Sequence, residues 1–393
     1  MKKKIAIIGA GISGLIFANL LKQNSKYDFT IFEKNSSLNL SEGYGVQLSV
    51  NSASILNEIG FKNFKNDNKF NPKKIDFYSL KNNNKICDLD IAQFNSEDAH
   101  YTTLKRSSLV EFLKEQLLSD SIQFNKKIEK INYSNSKIEI TFKDNFLETF
   151  DYLVISDGVF SATKSTLFNK DIKPKYFGSL AIRGITKKEN LKFLNENNIA
   201  IFLGPNIHLV VYPVGIENQF NLVVIIRNKL DQNNLNNRSF FENKNNIKNF
   251  LEKSSIQVND NLKNLFNNAQ DLKCFPIFIS DKTRQPNQKN IFFLGDSLFA
   301  LPPTFAQGAS QSTESAYELF KILNEDNNDN FHKYYSNRIK RIRIVNQRSK
   351  LNYFIFHLSN PILVLIRNII LKIVVNNKKF LNKYLGQIYL KNN

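Results

Sequence analysis

Six residues near the start of the chain, Gly9-Ala10-Gly11-Ile12-Ser13-Gly14, constrain the fold more than any other feature. They follow an apolar run at 4–8 that reads as a strand, and they open an apolar-faced stretch that reads as a helix. Each glycine at this spacing answers a separate steric demand. Gly9 permits the tight turn, Gly11 lets the backbone approach a pyrophosphate, and Gly14 lets helix and strand pack closely. Unpaired N–H groups and the dipole at the helix N-terminus then favour a phosphate anion. Glu33 closes the next strand, nineteen residues after Gly14, placed to accept hydrogen bonds from a ribose hydroxyl. An acidic residue there disfavours a 2′-phosphate, so FAD or NAD fits this pocket better than NADP.

Further along, hydrophobic periodicity predicts a helix at about 52–59, a hairpin over 73–92 turning at Asn82-Asn83-Asn84, and a helix from 107 to 118. Short strands run through 121–155 and end at Asp157-Gly158. Between about 171 and 282 the chain turns strand-rich (180–185, 200–203, 208–212, 221–227), with an Asn-rich helical insert near 240–265. A buried strand at 290–294 leads through the loop 295–308 into a helix at 309–323.

Two more motifs carry chemistry. One is the strand ending Ile155-Ser156-Asp157-Gly158, followed by Ser161 and Lys164. The other is Ile291-Phe292-Phe293-Leu294-Gly295-Asp296, followed by Pro302-Pro303-Thr304-Phe305-Ala306-Gln307-Gly308. A carboxylate at a strand end, beside a loop feeding a helix N-terminus, suits a polyol chain and a polar ring edge.

The order of these three motifs resembles the single-component FAD-dependent aromatic hydroxylases of the p-hydroxybenzoate and salicylate hydroxylase type. The similarity spans almost the whole chain. It takes in Gly43-Tyr44-Gly45-Val46-Gln47-Leu48, Arg106 with Leu109 and Leu113, Arg183-Gly184, and the run from His208 to Pro213. It implies an α/β protein: a Rossmann-like FAD-binding domain with an inserted β-sheet substrate domain and a helical C-terminus. The cofactor domain would comprise 1–72, 101–170 and 283–330. The substrate domain would comprise the hairpin 73–100 and 171–282, and 331–393 would form a basic helical region.

By the same resemblance, Glu33 and Arg106 contact FAD, Val46 belongs to the flavin site, and Asp157 serves both FAD and nicotinamide binding. Asp296 holds the ribityl chain, and the backbone around Pro303 and Gly308 lines the isoalloxazine ring. The implied reaction reduces FAD with NAD(P)H, forms a flavin C4a-hydroperoxide with O2, and transfers one oxygen to an aromatic ring. Three positions depart from the family pattern. The usual Gly-Asp-Ala-Ala-His reads Gly295-Asp296-Ser297-Leu298-Phe299, a common arginine is Lys164, and a common acidic residue is Ser315, with Glu314 adjacent.

His208 and Tyr212 lie four apart on a predicted strand and so point to one face, with Val210 between them. Such a pair can orient or deprotonate a phenol, since histidine titrates near neutral pH. The alternative is a satisfied structural histidine and a packed tyrosine. Arg183 reads either as a partner for a substrate carboxylate or as an edge-strand residue.

A net charge of +19 is unevenly spread: from Phe331 onward there are thirteen Lys or Arg and no Asp or Glu. That segment reads as a solvated basic helix face, as a basic amphipathic attachment to an anionic membrane, or as a counter-surface in a homodimer. Membrane attachment would suit a polyprenyl phenol of quinone synthesis. Nucleic acid is not expected, because no recognised binding module accompanies the charge. Cys87 and Cys274 sit in no metal-type spacing and form no disulfide framework, which points to a cytoplasmic protein without a metal site. A halogenase of this fold is excluded by the absence of Trp. A flavin reductase or dehydrogenase, or a silent flavin-binding protein, remains the competing expectation.

Overall fold

The computed structural model describes residues 2–38, 40, 44–216, 218–254, 260–325 and 329–390. Gly43 of the run Gly43-Tyr44-Gly45-Val46-Gln47-Leu48 lies outside the described residues. The first strand, Lys3–Ile8, pairs in parallel with Tyr27–Phe32 on one side and Tyr152–Ile155 on the other. Ile291–Phe293 and Ile122–Gln123 extend this sheet to five strands in the order 291–293, 152–155, 3–8, 27–32, 122–123. The parallel arrangement explains why these strands read as unbroken apolar runs: both faces are covered. The helix Ile12–Leu21 is buried almost all round, lying between that sheet and the helices Gly308–Asn324 and Arg106–Glu115.

The glycines of the first turn behave as their chemistry requires. Gly9 has φ +102°, and a Cβ there would stand 2.8 Å from Ser156 O. A Cβ on Gly14 would stand 2.2 Å from Gly9 O, so only glycine lets the helix sit down on the strand.

The second sheet has seven strands, in the order Gln270–Ile279, Lys175–Lys187, Gln219–Arg227, Ile207–Pro213, Ile199–Gly204, Lys74–Ser79, Lys85–Asp90. All its pairings are antiparallel except Ile199–Gly204 with Lys74–Ser79. The hairpin turn carries Asn83 at φ +56°. Strand alternation gives the sheet two different faces. Leu209 and Val211 point into a core closed by the helical insert through Phe241, Ile247 and Leu262. Tyr212 points the other way, into a core shared with Phe356, Leu381 and Tyr389 from the C-terminal helices.

Two long C-terminal elements cover that second face, the helices Asn330–Phe356 and Pro361–Val374. Asn360 caps the latter by accepting from the Ile362 and Leu363 N–H groups, with Pro361 at the first helical position. Tyr334 donates its hydroxyl to Phe293 O at 2.7 Å and ties the 330–356 helix to the parallel sheet. Among the described residues no helix is long and apolar enough to cross a membrane.

The basic tail is not uniformly solvated. Arg338, Arg341 and Arg367 are buried. Arg341 grips Glu314 with two 2.7 Å contacts, while Arg338 reaches both Glu314 and Glu318. This corrects the reading of a single solvated basic face. The outward face of the 361–374 helix is in fact apolar, with Ile362, Leu365, Ile369 and Ile373 exposed.

Candidate flavin and substrate site

Parallel pairing brings three motifs to one place. The strands ending at Ile8, Ile155 and Phe293 are neighbours running the same way, so Gly9, Asp157 and Asp296 all emerge at the carboxyl edge of one sheet. Ligands of open parallel sheets bind at that edge. Ser156 Oγ lies 2.9 Å from both Ile8 O and Gly9 O, stitching the second motif to the first. Gly295, at φ +55°, is pressed against Ser13: a Cβ there would lie 2.2 Å from Ser13 Oγ.

Glu33 is buried and already well used. Its Oε2 accepts from Ala10 N at 3.0 Å, and its Oε1 accepts from the Asn35 backbone and side-chain nitrogens. It therefore holds the glycine turn in shape, a role its spacing did not reveal. Asp157 accepts from Thr163 N through Oδ2, while Oδ1 is buried with no partner among the described residues. Arg106 begins the helix Arg106–Glu115, and its backbone N–H donates to Tyr44 O at 2.8 Å.

Asp296 opens onto a cavity of about 690 Å³. Its carboxyl group is exposed to that space yet lies deep in the molecule. Removal from bulk water pushes its pKa up to about 6, against the pull of Lys164. Lys164 is itself buried, and burial lowers its pKa although Asp157 works to raise it. Ser315 stands where a carboxylate was looked for, and its Oγ accepts from Gly295 N at 3.1 Å. Glu314 does not substitute for it. Burial alone would raise the Glu314 pKa, but Arg341 and Arg338 hold it below the usual range, facing away from Gly295.

The same cavity is lined by Val46, Pro303 and Gly308 and also by Arg183, His208 and Tyr212. Gly9, Gly11, Gly14, Glu33, Arg106 and Asp157 do not line it. Arg183 sits on an inner strand flanked on both sides, not on an edge, and its guanidinium lies 5.9 Å from the Tyr44 ring centroid. Tyr212 is buried, and burial pushes its phenol pKa up, so it stays a protonated donor. Gly45 makes room for it: a Cβ at Gly45 would stand 2.6 Å from Tyr212 Cε2. Gln47 meets the Tyr212 hydroxyl and accepts from Tyr101 Oη at 2.7 Å.

His208 Nδ1 lies 2.7 Å from Nε2 of His357, the residue that ends the 330–356 helix. Burial pushes the His208 pKa down to about 3 and that of His357 to about 2. Sequence reasoning missed His357, Gln47 and Tyr101. Nothing local marks His357, whose partner is 149 residues away.

A family model described as an NAD(P)-binding Rossmann-like domain matches residues 7–41. The 3-amino-4-hydroxybenzoate 2-monooxygenase of Streptomyces platensis is 24% identical over 91% of this chain and 90% of its own length. The 6-hydroxynicotinate 3-monooxygenase of Pseudomonas fluorescens is 22% identical over 91% and 93%. The likeness runs along nearly the full length of both chains in each case. The chain is similar to the FAD-dependent aromatic hydroxylases. Its fold matches that of Klebsiella pneumoniae HpxO, solved with FAD and uric acid, at a TM-score of 0.84, with 17% identity over 98% of this chain and 96% of that one.

The residues fit the flavin of such hydroxylases. A Cβ on Gly11 would meet only Ser156 O, at 3.9 Å, so the turn leaves room for a close ligand. The helices Ile12–Leu21 and Gly308–Asn324 have no side-chain cap, which leaves N-terminal N–H groups for an anion or ring edge. Asp157 Oδ1 supplies a buried acceptor with no partner among the described residues.

Proposed function

We propose that this protein is an FAD- and NAD(P)H-dependent monooxygenase that hydroxylates a phenolic ring. One observation carries the reading: a single cavity is lined both by Val46, Asp296, Pro303 and Gly308, which would face the flavin, and by Arg183, His208 and Tyr212. Bound FAD, reduced by NAD(P)H, would supply the activated oxygen from O2. Glu33, Arg106 and Asp157 would hold its dinucleotide portion and Asp296 its polyol chain.

The rest is work for this chain's own side chains. With Nδ1 taken by His357, His208 has Nε2 left to accept the proton of a phenol. A ring losing its proton is a better nucleophile. Taking that proton turns the phenol into a phenolate and the neutral histidine pair into an imidazolium, so the two charges form together as an ion pair. Tyr212 donates, Arg183 offers a cation to an acidic substituent, and Ile201, Val223 and Phe305 exclude water. Peripheral contact with a membrane is part of the same reading, and its basis is the apolar outer face of the 361–374 helix.

The test is a panel of phenols assayed for accelerated NAD(P)H oxidation, O2 uptake and gain of one oxygen in the product. His208→Ala and Tyr212→Phe should lose most of the substrate-stimulated rate. A colourless protein that cannot be loaded with FAD would end the proposal, as would yellow protein whose reduction no phenol accelerates.

A further inference from the structure

The helix Pro361–Val374 is apolar on two faces, and only one of them is used. Leu363, Ile366, Ile370, Leu371 and Val374 line the cavity. Ile362, Leu365, Ile369 and Ile373, spaced by three and four residues, do not line it. They are 68, 61, 51 and 61% exposed. A helix that is apolar all round is normally enclosed. Here no described part of the chain covers the outer stripe.

Length and charge identify what does. Fourteen residues span roughly 21 Å at 1.5 Å per residue, short of the roughly 30 Å of a hydrocarbon core, so the helix can lie in a bilayer surface but not cross it. Lys350, Lys372, Lys378, Lys379 and Lys383 are all exposed on and around this segment, with no acidic residue after Phe331 in the sequence. Apolar side chains among lysines match the boundary between acyl chains and anionic headgroups. A second copy of the same face would instead bring like charges together.

The cavity opens at the same place. Leu363, Ile366, Ile370 and Phe380 line it and are also 45, 44, 51 and 40% exposed, which puts its apolar rim on this helix and just beyond. We propose that the 361–374 helix lies in the surface of an anionic membrane, its outer isoleucines and leucine among the acyl chains, so that the cavity admits a phenol bearing an apolar tail from the lipid. The docking stands on its own; the substrate class rests on the hydroxylase reading.

The experiment floats flavin-loaded protein with vesicles of phosphatidylcholine alone or mixed with phosphatidylglycerol. The native chain should be recovered with mixed vesicles at least about tenfold more than with neutral ones, and salt should weaken that preference. The combined variant Ile362→Ser, Leu365→Ser, Ile369→Ser, Ile373→Ser should lose binding while keeping its flavin and melting temperature. Lys378→Gln, Lys379→Gln, Lys383→Gln should lose only the preference for anionic lipid. Undiminished flotation of the serine variant would overturn the docking. So would a solution dimer that the serine substitutions split, because the stripe would then be covered by a second copy. Turnover of 4-alkylphenols should rise with tail length. Docking without turnover of any phenol would retain the membrane face and remove the hydroxylase reading alone.

Discussion

Nδ1 of His208 and Nε2 of His357 stand 2.7 Å apart, joining a strand of the seven-stranded sheet to the end of a C-terminal helix. One proton is shared between them. His357 Nδ1 is buried with no partner among the described residues, so the pair meets the cavity only through His208.

Replacing His208 by Ala should lower substrate-stimulated kcat/KM by about 10²- to 10⁴-fold, the usual range for a lost acid–base group. His357→Phe should lower it less, because His357 acts through His208. Burial keeps both rings neutral well below pH 6.5. The kcat/KM profile should therefore show no acid limb near 6.5 that vanishes in His208→Ala; such a limb would contradict the assignment.

The same two residues predict a direction for stability. Their folded pKa values lie below the ordinary 6.5, so below that pH the unfolded chain binds protons first. Their contribution is complete above pH 6.5 and falls as the pH drops towards 3. Urea midpoints at pH 7 and pH 5 should show a smaller acid loss in His357→Phe than in the native chain.

Gly11 and Gly14 should fail in different ways. A Cβ at Gly14 would collide with Gly9 O at 2.2 Å, so Gly14→Ala should not yield soluble folded protein. Gly11 has an ordinary φ of −82° and an open Cβ direction. Gly11→Ala should fold with a native melting curve yet bind FAD weakly. Flavin titration of the apoprotein separates the two outcomes.

Asp296→Asn should weaken FAD by about ten- to a hundredfold, the range of one lost charge-assisted hydrogen bond. The apoprotein should not suffer. Its folded pKa of about 6 exceeds the ordinary 3.8, so the folded state binds more protons between those values and loses stability as pH rises through them. At pH 7 the Asn variant should melt at or above the native temperature. A lower melting point with unchanged flavin affinity would remove Asp296 from the site.

Glu314 is the opposite case. Glu314→Gln leaves Arg341 buried without its carboxylate and Arg338 with Glu318 alone, and breaking such a buried pair costs about 3–5 kcal/mol. Its depressed pKa means the contribution is present above pH 4.5 and lost as pH falls below it. Whatever protein folds should keep a native flavin spectrum, since Glu314 faces the arginines and not Gly295. Denaturant melts and absorbance scans check both halves.

The parallel strands and the glycine turn were legible in the sequence because their signals are local: apolar runs, glycines at fixed offsets, a carboxylate after a strand. Period-two alternation likewise put His208 and Tyr212 on one face, and the cavity lies on that face. Positions with non-local partners were not legible. Glu33 turned out to brace Ala10 and Asn35, and Arg183 proved to sit on an inner strand. Counting charges after Phe331 suggested a basic face, but charge counts carry no direction. Buried Arg341 and outward Ile369 emerge only when the helices are packed.

What the order of residues determines by itself is therefore the cofactor frame. The Gly9–Gly14 bend and the three strands that follow each other's direction depend on neighbours a few residues away and on parallel pairing. The cavity around His208 and Tyr212 takes its strand face from alternation, and everything else about it depends on tertiary structure. It needs His357 brought 149 positions back to His208, and a C-terminal helix laid over the sheet with one apolar face turned inward and another left to the outside. Those contacts form only when distant segments close on a shared cavity, and no periodicity within a segment encodes which segment it will meet.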